Sequence, residues 1–222
     1  MIAERAHRLV NLKDYQTAGS PEHLGHLSLI PPAEDQYILR MVVKSPGTLY
    51  SIPEELDWIM PMFNRALEHQ NQIATNHPFC YVTIRHGLVK SKKDDEWHVD
   101  GFSTKVPHTP EQNYIWANQD ATEYADLNVK IPHDFDPRQH NINHYLEQHV
   151  TEALKADSNV VYCMDPYILH RRPSSTTGTQ RTFVRISFVP IEINDVLNTQ
   201  NPSMPKLYTT DGLAFRSQLK TY

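Results

Sequence analysis

The sequence predicts a mainly β fold with a few flanking helices, best fitted by a β-sandwich or jelly roll. Three observations carry that expectation. Short runs of β-branched and aromatic residues recur along the chain, separated by Pro, Gly, Ser and Asp turn chemistry. Apolar residues fall at helical spacing in only two stretches. The chain has no internal repeat and no low-complexity tract, which leaves several short antiparallel strands with helices laid against them.

Taken in order, the first 50 residues set a short extended run, Tyr37 to Val43, between turns at Ile30-Pro31-Pro32 and Ser45-Pro46-Gly47. They predict short strands and loops. Ser51-Ile52-Pro53-Glu54 predicts a helix start, with the serine hydroxyl as cap and the glutamate three positions on reaching back to it. Leu56, Ile59, Met60, Phe63 and Leu67 then recur at helical spacing up to about Ile73, and Pro61 is expected to kink the helix. From Pro78 the texture changes to strand (Phe79 to Ile84), a charged exposed turn (Lys90 to Glu96) and a second strand, Trp97-His98-Val99-Asp100-Gly101-Phe102. Asn113 to Ala117 predicts a further strand. Asp136-Pro137 supplies an N-cap and first-turn proline for a helix carrying Ile142, Tyr145, Leu146, Val150 and Leu154 on one face and ending before Ser158. Val160 to His170 and Thr182 to Pro190 are strong strands that the turn-rich Pro173 to Thr179 segment is expected to join as a hairpin. The polar tail from about Asn194 is expected to pack on the domain, cover the site or join a partner.

With 222 residues and 39% apolar types, the chain suits one sizeable core rather than two, so a single domain over 1–222 is expected. No stretch approaches the roughly 18 consecutive apolar residues that span a bilayer, and Met1 to Val10 alternates charge with small residues. A cytoplasmic protein without membrane contact is expected. Cys80 and Cys163 both lie in apolar segments and read as two buried thiols, not a disulfide framework. The net charge of −5, with the basic run Lys90 to Lys93 followed at once by Asp94, Asp95 and Glu96, argues against nucleic-acid binding through a broad basic face. A small-molecule substrate is expected; a protein or a short single strand of nucleic acid are the alternatives, and nothing in the sequence fixes an oligomeric state.

The chain has 13 histidines, so spacing and context must select among them. His98 and Asp100 are two apart on an apparent strand and leave the same face, able to converge on one ion. His170, far along the chain on an apolar strand, is the third candidate ligand. Two imidazoles and one carboxylate on one face of a metal leave open positions that suit Fe(II) chemistry with dioxygen. On the next strand, alternation puts Arg181, Phe183, Arg185 and Ser187 on one face and Val184, Ile186 and Phe188 on the other. An arginine directed into an apolar interior calls for an anion, and its forked donors suit a carboxylate.

His98-Val99-Asp100, then His170, then Arg181 on the following strand resembles the 2-oxoglutarate/Fe(II) dioxygenase superfamily, over roughly Phe79 to Pro190. The resemblance implies a double-stranded β-helix, the jelly roll of the cupin-like proteins, over 79–190, with 191–222 as a C-terminal extension. It implies iron held by His98, Asp100 and His170, with 2-oxoglutarate as co-substrate and dioxygen as oxidant. Arg181, eleven residues after His170, holds the position of the arginine that binds the distal carboxylate. Arg185 with Ser187 resembles the Arg-x-Ser pair that some members use for that task, and the two arginines are not separated by sequence. The acidic ligand Asp100 is present, which favours hydroxylation, or a related oxidation such as demethylation or desaturation, over halogenation. Tyr81, sharing a strand face with Thr83 and Arg85, is a candidate co-substrate contact.

Arg85, Trp97, Phe102 and Trp116 lie on or near the strands expected to form the mouth, and each is a candidate substrate contact with core packing as the plainer role. His140 and His144 have one-turn spacing that can chelate a metal, yet with His149 they are well explained as a solvated helix face. Two other functions stay open: a cupin-like metal dioxygenase or isomerase without 2-oxoglutarate, and a non-catalytic metal-binding barrel.

Overall fold

The computed structural model of the chain describes residues 19–72, 77–90, 95–100, 111–132, 134–135, 139–193 and 195–204. Phe102, Ile73, the Asp136-Pro137 helix start and the tail beyond 204 lie outside them. The long runs with branched apolar side chains on both faces form a mainly antiparallel β structure with few helices. Its elements are β1 (Glu22–His26), β2 (Gln36–Lys44), a 3-10 turn (Glu54–Ile59), α1 (Met60–Gln72), β3 (Phe79–Leu88), β4 (Gln112–Ala117), β5 (Glu123–Ala125), α2 (Ile142–Glu147), β6 (Leu154–Lys155), β7 (Val160–Met164), β8 (Leu169–Arg171), a second 3-10 turn (Ser174–Thr176) and β9 (Gln180–Val189).

Two sheets result. One has six strands in the order β1-β7-β4-β9-β3-β2, and the other three in the order β6-β5-β8. On one face of the large sheet Tyr114, Trp116, Val161, Val184, Ile186 and Phe188 pack against the 3-10 turn and α1, which bury Leu56, Ile59, Met62, Phe63 and Ala66. Each large side chain so buried stabilises the fold by about 1.5–3 kcal/mol. The opposite face carries Ile115, Ala117, Val160 and Tyr162, with Tyr124 of β5 and Phe183 of β9 packed against them, and so meets the small sheet. Behind the small sheet, Leu169 and Ala125 pack with Trp97, Val99 and the α2 residues Ile142 and Leu146.

Five expectations are corrected. Trp97 to Asp100, the described part of the expected Trp97 to Phe102 strand, is not a strand: His98 makes an isolated antiparallel bridge with His170 and Asp100 lies in a turn. Val160 to His170 is not one strand and forms no hairpin with β9: β7 pairs with β1 and β4, β8 pairs with β5, and β9 pairs with β3 and β4. Pro166 has no N–H for a ladder, and Asp165 turns the chain by accepting from the Tyr167 amide at 3.0 Å, so the run breaks and crosses between sheets. Ser51 does not cap the first helix; its hydroxyl donates to the Ser203 carbonyl at 3.1 Å, and Pro53 stands at the cap of the 3-10 turn. Pro61 produces no mid-helix kink, because it falls in the first turn of α1 where a missing N–H costs nothing. The second helix is short: Asn141 caps α2 by accepting from the amides of Asn143 (2.9 Å) and His144 (3.4 Å), and Leu154 belongs to β6 instead.

Residues of the C-terminal extension cover the exposed edge of β2. The Thr199 amide donates to the Leu39 carbonyl at 2.7 Å, and the Asn201 side-chain amide donates to the carbonyls of Val42 and Ser51, both at 2.8 Å. Covering an edge in this way removes a template for strand pairing with another chain. Cys80 and Cys163 are free buried thiols, as expected. No helix among the described residues is long and apolar enough to cross a membrane.

One glycine fixes local geometry near the site. Gly87, directly opposite Arg181 in the β3–β9 ladder, has φ +139°, and an added Cβ would meet the Asp35 side chain at 2.6–2.8 Å. Gly87→Ala is expected to lower unfolding free energy by about 1–3 kcal/mol, read from the urea midpoint. An unchanged midpoint would refute this account of the strand.

Candidate functional site

The site is built across the gap between the two sheets. His98 and His170 form a reciprocal antiparallel backbone pair, each amide donating to the other's carbonyl at 2.9 Å. Residues so paired project their side chains to the same face, and the two imidazole rings lie with centroids 4.4 Å apart. The segment is held from outside by Asn143 of α2, whose side chain accepts from the Val99 amide at 3.2 Å. One ligand atom from each of His98, Asp100 and His170 lies within 4.8 Å of the other two.

Hydrogen bonding fixes which ring nitrogens are offered. His98 Nδ1 is 2.8 Å from the Glu96 carbonyl and His170 Nδ1 is 2.9 Å from the Ile168 carbonyl. A carbonyl only accepts, so each Nδ1 carries a proton and Nε2 is the nitrogen of each ring left to face a metal. His170 Nε2 lies 3.8 Å from Asp100 Oδ2, a separation that leaves room for an ion to join them. Burial pushes the His170 imidazole below its ordinary value against the opposite pull of Asp100, keeping it neutral and ready to ligate.

The large sheet supplies what steadies Asp100. Arg185 Nη1 stands 3.4 Å from Asp100 Oδ2, and the Asn113 side-chain amide donates to the same oxygen at 2.9 Å. Asn113 also donates to Glu111 at 3.0 Å and takes the Ser187 hydroxyl on its Oδ1. Burial, and then the charge of Asp100, push the Glu111 carboxyl above the usual carboxylate range. Sequence reasoning missed Asn113 and Glu111. The available signal was a lone amide at an inward position of the otherwise apolar Asn113-Tyr114-Ile115-Trp116-Ala117 run. Asn113→Ala is expected to weaken divalent-metal binding about 10–100-fold while the chain stays folded, measured by Co(II) titration beside a thermal melt. A change below about threefold removes Asn113 from the site.

Arg181 stands at the start of β9, on the same face as Arg185 and Ser187 and only 6% exposed. Its Nε donates to the carbonyls of Gln119 (3.3 Å) and Asp120 (3.0 Å), and its guanidinium lies 5.1 Å from the Phe183 ring centroid. Among the described residues no carboxylate comes within ion-pair distance of it. Burial, followed by the charges of Arg172 and Arg85, pushes it down to about 10, so it stays charged at neutral pH. The opposite pull of Asp120 is outweighed, so Arg181 is a buried cation beside other cations, a setting that suits an anion.

The remaining candidates divide. Tyr81, Thr83 and Arg85 face the gap, opposite Ser187, Arg185 and Phe183 in the ladder. The Tyr81 hydroxyl accepts from the Ile193 amide at 2.9 Å, and burial raises its pKa to about 12. Trp97 is buried behind the small sheet, with the Arg171 guanidinium 4.4 Å above its ring. Trp116 is not a mouth residue: it lies on the helix-facing side of the large sheet, 1% exposed, its indole donating to the Leu27 carbonyl at 2.8 Å. Strand alternation sets this, since Trp116 is an odd number of positions from Asn113 and so faces away from the gap. Of the three helix-region histidines, only His144 falls within α2, where it is exposed. No protein-family model and no curated protein matches the chain.

Proposed function

We propose that the chain is an Fe(II)- and 2-oxoglutarate-dependent oxygenase with a double-stranded β-helix core, acting on a small molecule. The observation that supports this reading best is the pairing of two groups across the gap. His98, Asp100 and His170 offer two imidazoles and a carboxylate at one point, and Arg181 offers a buried positive charge on the facing sheet, with no carboxylate in ion-pair distance among the described residues. The donor set fits a divalent iron that keeps coordination positions open, and the arginine fits a dicarboxylate co-substrate.

In this reading His98, Asp100 and His170 would hold the iron, and Arg181 would bind the distal carboxylate of 2-oxoglutarate. Arg185 and Asn113, both on Asp100, hold that carboxylate's orientation and charge. When bound, iron, dioxygen and 2-oxoglutarate together supply an oxidant able to remove a hydrogen atom from a substrate, with succinate and carbon dioxide as products. The chain's own part is to fix the ligands, neutralise the co-substrate's charge and keep water out with the apolar inner face around Ile115, Tyr162 and Phe183. With Asp100 as a ligand, hydroxylation or a related oxidation is favoured over halogenation.

The test is an anaerobic titration of Fe(II) and then 2-oxoglutarate into the metal-free chain, following the visible metal-to-ligand charge-transfer band, with His98→Ala as control. A band that needs both additions and is lost in the variant supports the proposal, and a screen for substrate-stimulated succinate release follows. Iron binding without any band would instead favour a cupin-like metal enzyme that uses no 2-oxoglutarate.

A further inference from the structure

A second group of ligand atoms meets on the other side of the large sheet, away from the gap. The β1–β7 register makes Glu22 and Cys163 direct cross-strand neighbours. His69, near the C-terminal end of α1, lies over them with its Nε2 3.3 Å from Glu22 Oε2. One ligand atom from each of Glu22, His69 and Cys163 lies within 4.8 Å of the other two.

A chain of hydrogen bonds sets the tautomer of His69. Its Nδ1 is 2.9 Å from the Tyr114 hydroxyl, which donates its own proton to Gln70 Oε1 at 3.1 Å. With the hydroxyl proton donated to Gln70, the hydroxyl oxygen accepts from His69 Nδ1, and Nε2 meets Glu22 either as a second N–H or as a lone pair with a cation between them. Two acceptors 3.3 Å apart repel unless a cation lies between them. An extra proton on His69 would relieve that contact but would give the sulfur beside it no role. Burial pushes the Cys163 thiol up to about 12, so it keeps its proton until a cation arrives, while Gln112 Nε2, donating to Sγ at 2.8 Å, favours the thiolate once one does.

We propose that Glu22, His69 and Cys163 form a zinc site, with a water molecule completing a tetrahedron. Carboxylate, imidazole and thiolate are all common zinc ligands, and the sulfur separates this site from the all-oxygen-and-nitrogen centre in the gap. Zinc binding releases the Cys163 thiol proton to solvent and forms a bond to Sγ, Nε2 and a carboxylate oxygen. The ion ties edge strand β1 and strand β7 to α1, which makes the site a stabilising cross-link.

Co(II) is the probe, since bound to a thiolate it gives a sulfur-to-metal charge-transfer absorption that the sulfur-free gap site cannot produce. The metal-free full chain is expected to take two equivalents of Co(II). His98→Ala should take one and keep the band; Cys163→Ser should lose it. Glu22 has an exposed side chain, so Glu22→Gln keeps the fold and should weaken the band-forming affinity at least tenfold. Zinc should raise the melting temperature of His98→Ala and leave that of the doubly substituted His98→Ala/Cys163→Ser chain unchanged. Absence of the band in His98→Ala, its survival in Cys163→Ser, or an unaltered affinity in Glu22→Gln would each overturn the zinc site without touching the iron proposal.

Discussion

Alanine in place of His170 is expected to leave a folded chain whose Fe(II) affinity has fallen by more than about 100-fold, beyond what loss of a supporting residue produces. The fold should survive because the two backbone bonds between His98 and His170 do not involve the side chain. The substitution removes the Nε2 lone pair, the Nδ1 bond to the Ile168 carbonyl and the ring's contact with its neighbour. The charge-transfer band should disappear with the iron. The same side chain predicts a pH effect on the metal-free wild type. Burial lowers the folded-state pKa of His170 below that of the unfolded chain, so the unfolded state binds more protons in the window between them. Its contribution to stability is therefore complete above about pH 6.5 and is lost as pH falls through the folded pKa. Urea midpoints measured from pH 7.5 downwards should drop more steeply in wild type than in His170→Ala. Equal slopes, or iron bound by the variant as tightly as by wild type, would remove His170 from the proposed role.

Arg181→Met is expected to raise the 2-oxoglutarate concentration needed for half-saturation by about 30-fold or more, corresponding to the roughly 2 kcal/mol or more lost when one partner of a buried charge pair is truncated. Iron affinity should hardly change, because Arg181 makes no contact with the ligands. Arg185→Met should do the reverse, since it strips Asp100 of a cation 3.4 Å from its carboxylate. Stability separates the two again. Removing Arg181 from the metal-free chain takes away a buried charge with no carboxylate in ion-pair distance among the described residues, and the melting temperature should hold or rise. The crossed pattern is the diagnostic: one variant impaired in co-substrate binding, the other in metal binding. Full activity in both variants would point to metal chemistry without 2-oxoglutarate.

Part of this site is written in local spacing: the Arg181, Arg185 and Ser187 face follows from strand alternation. His98 and Asp100 are two apart but not on a strand, since His98 makes an isolated bridge with His170 and Asp100 lies in a turn that brings its carboxylate to the histidines. The path of the chain after Met164 was harder to read. Val160 to His170 is apolar almost throughout, and its break depends on the turn at Asp165-Pro166 outweighing that pattern. The second helix was overextended because the apolar spacing through Val150 and Leu154 mimics a helix, while β6 is drawn into strand by pairing with β5. The Glu22, His69 and Cys163 cluster has no sequence signature at all. It exists through one strand register and one helix position, joining residues separated by more than 140 places between Glu22 and Cys163.

The break at Asp165-Pro166 has a mechanical consequence. It sends His170 to one sheet while leaving Arg181, Arg185 and Asn113 on the other. The working parts thus sit on the two jaws of a clamp, aligned only when the jaws are at the right spacing. Ligands that bridge them act as struts, and at a concentration of 100 times the dissociation constant such a strut adds about 2.7 kcal/mol to the closed state. Loosening anywhere in the apolar filling between the jaws should then weaken binding of a bridging ligand well before it unfolds the chain.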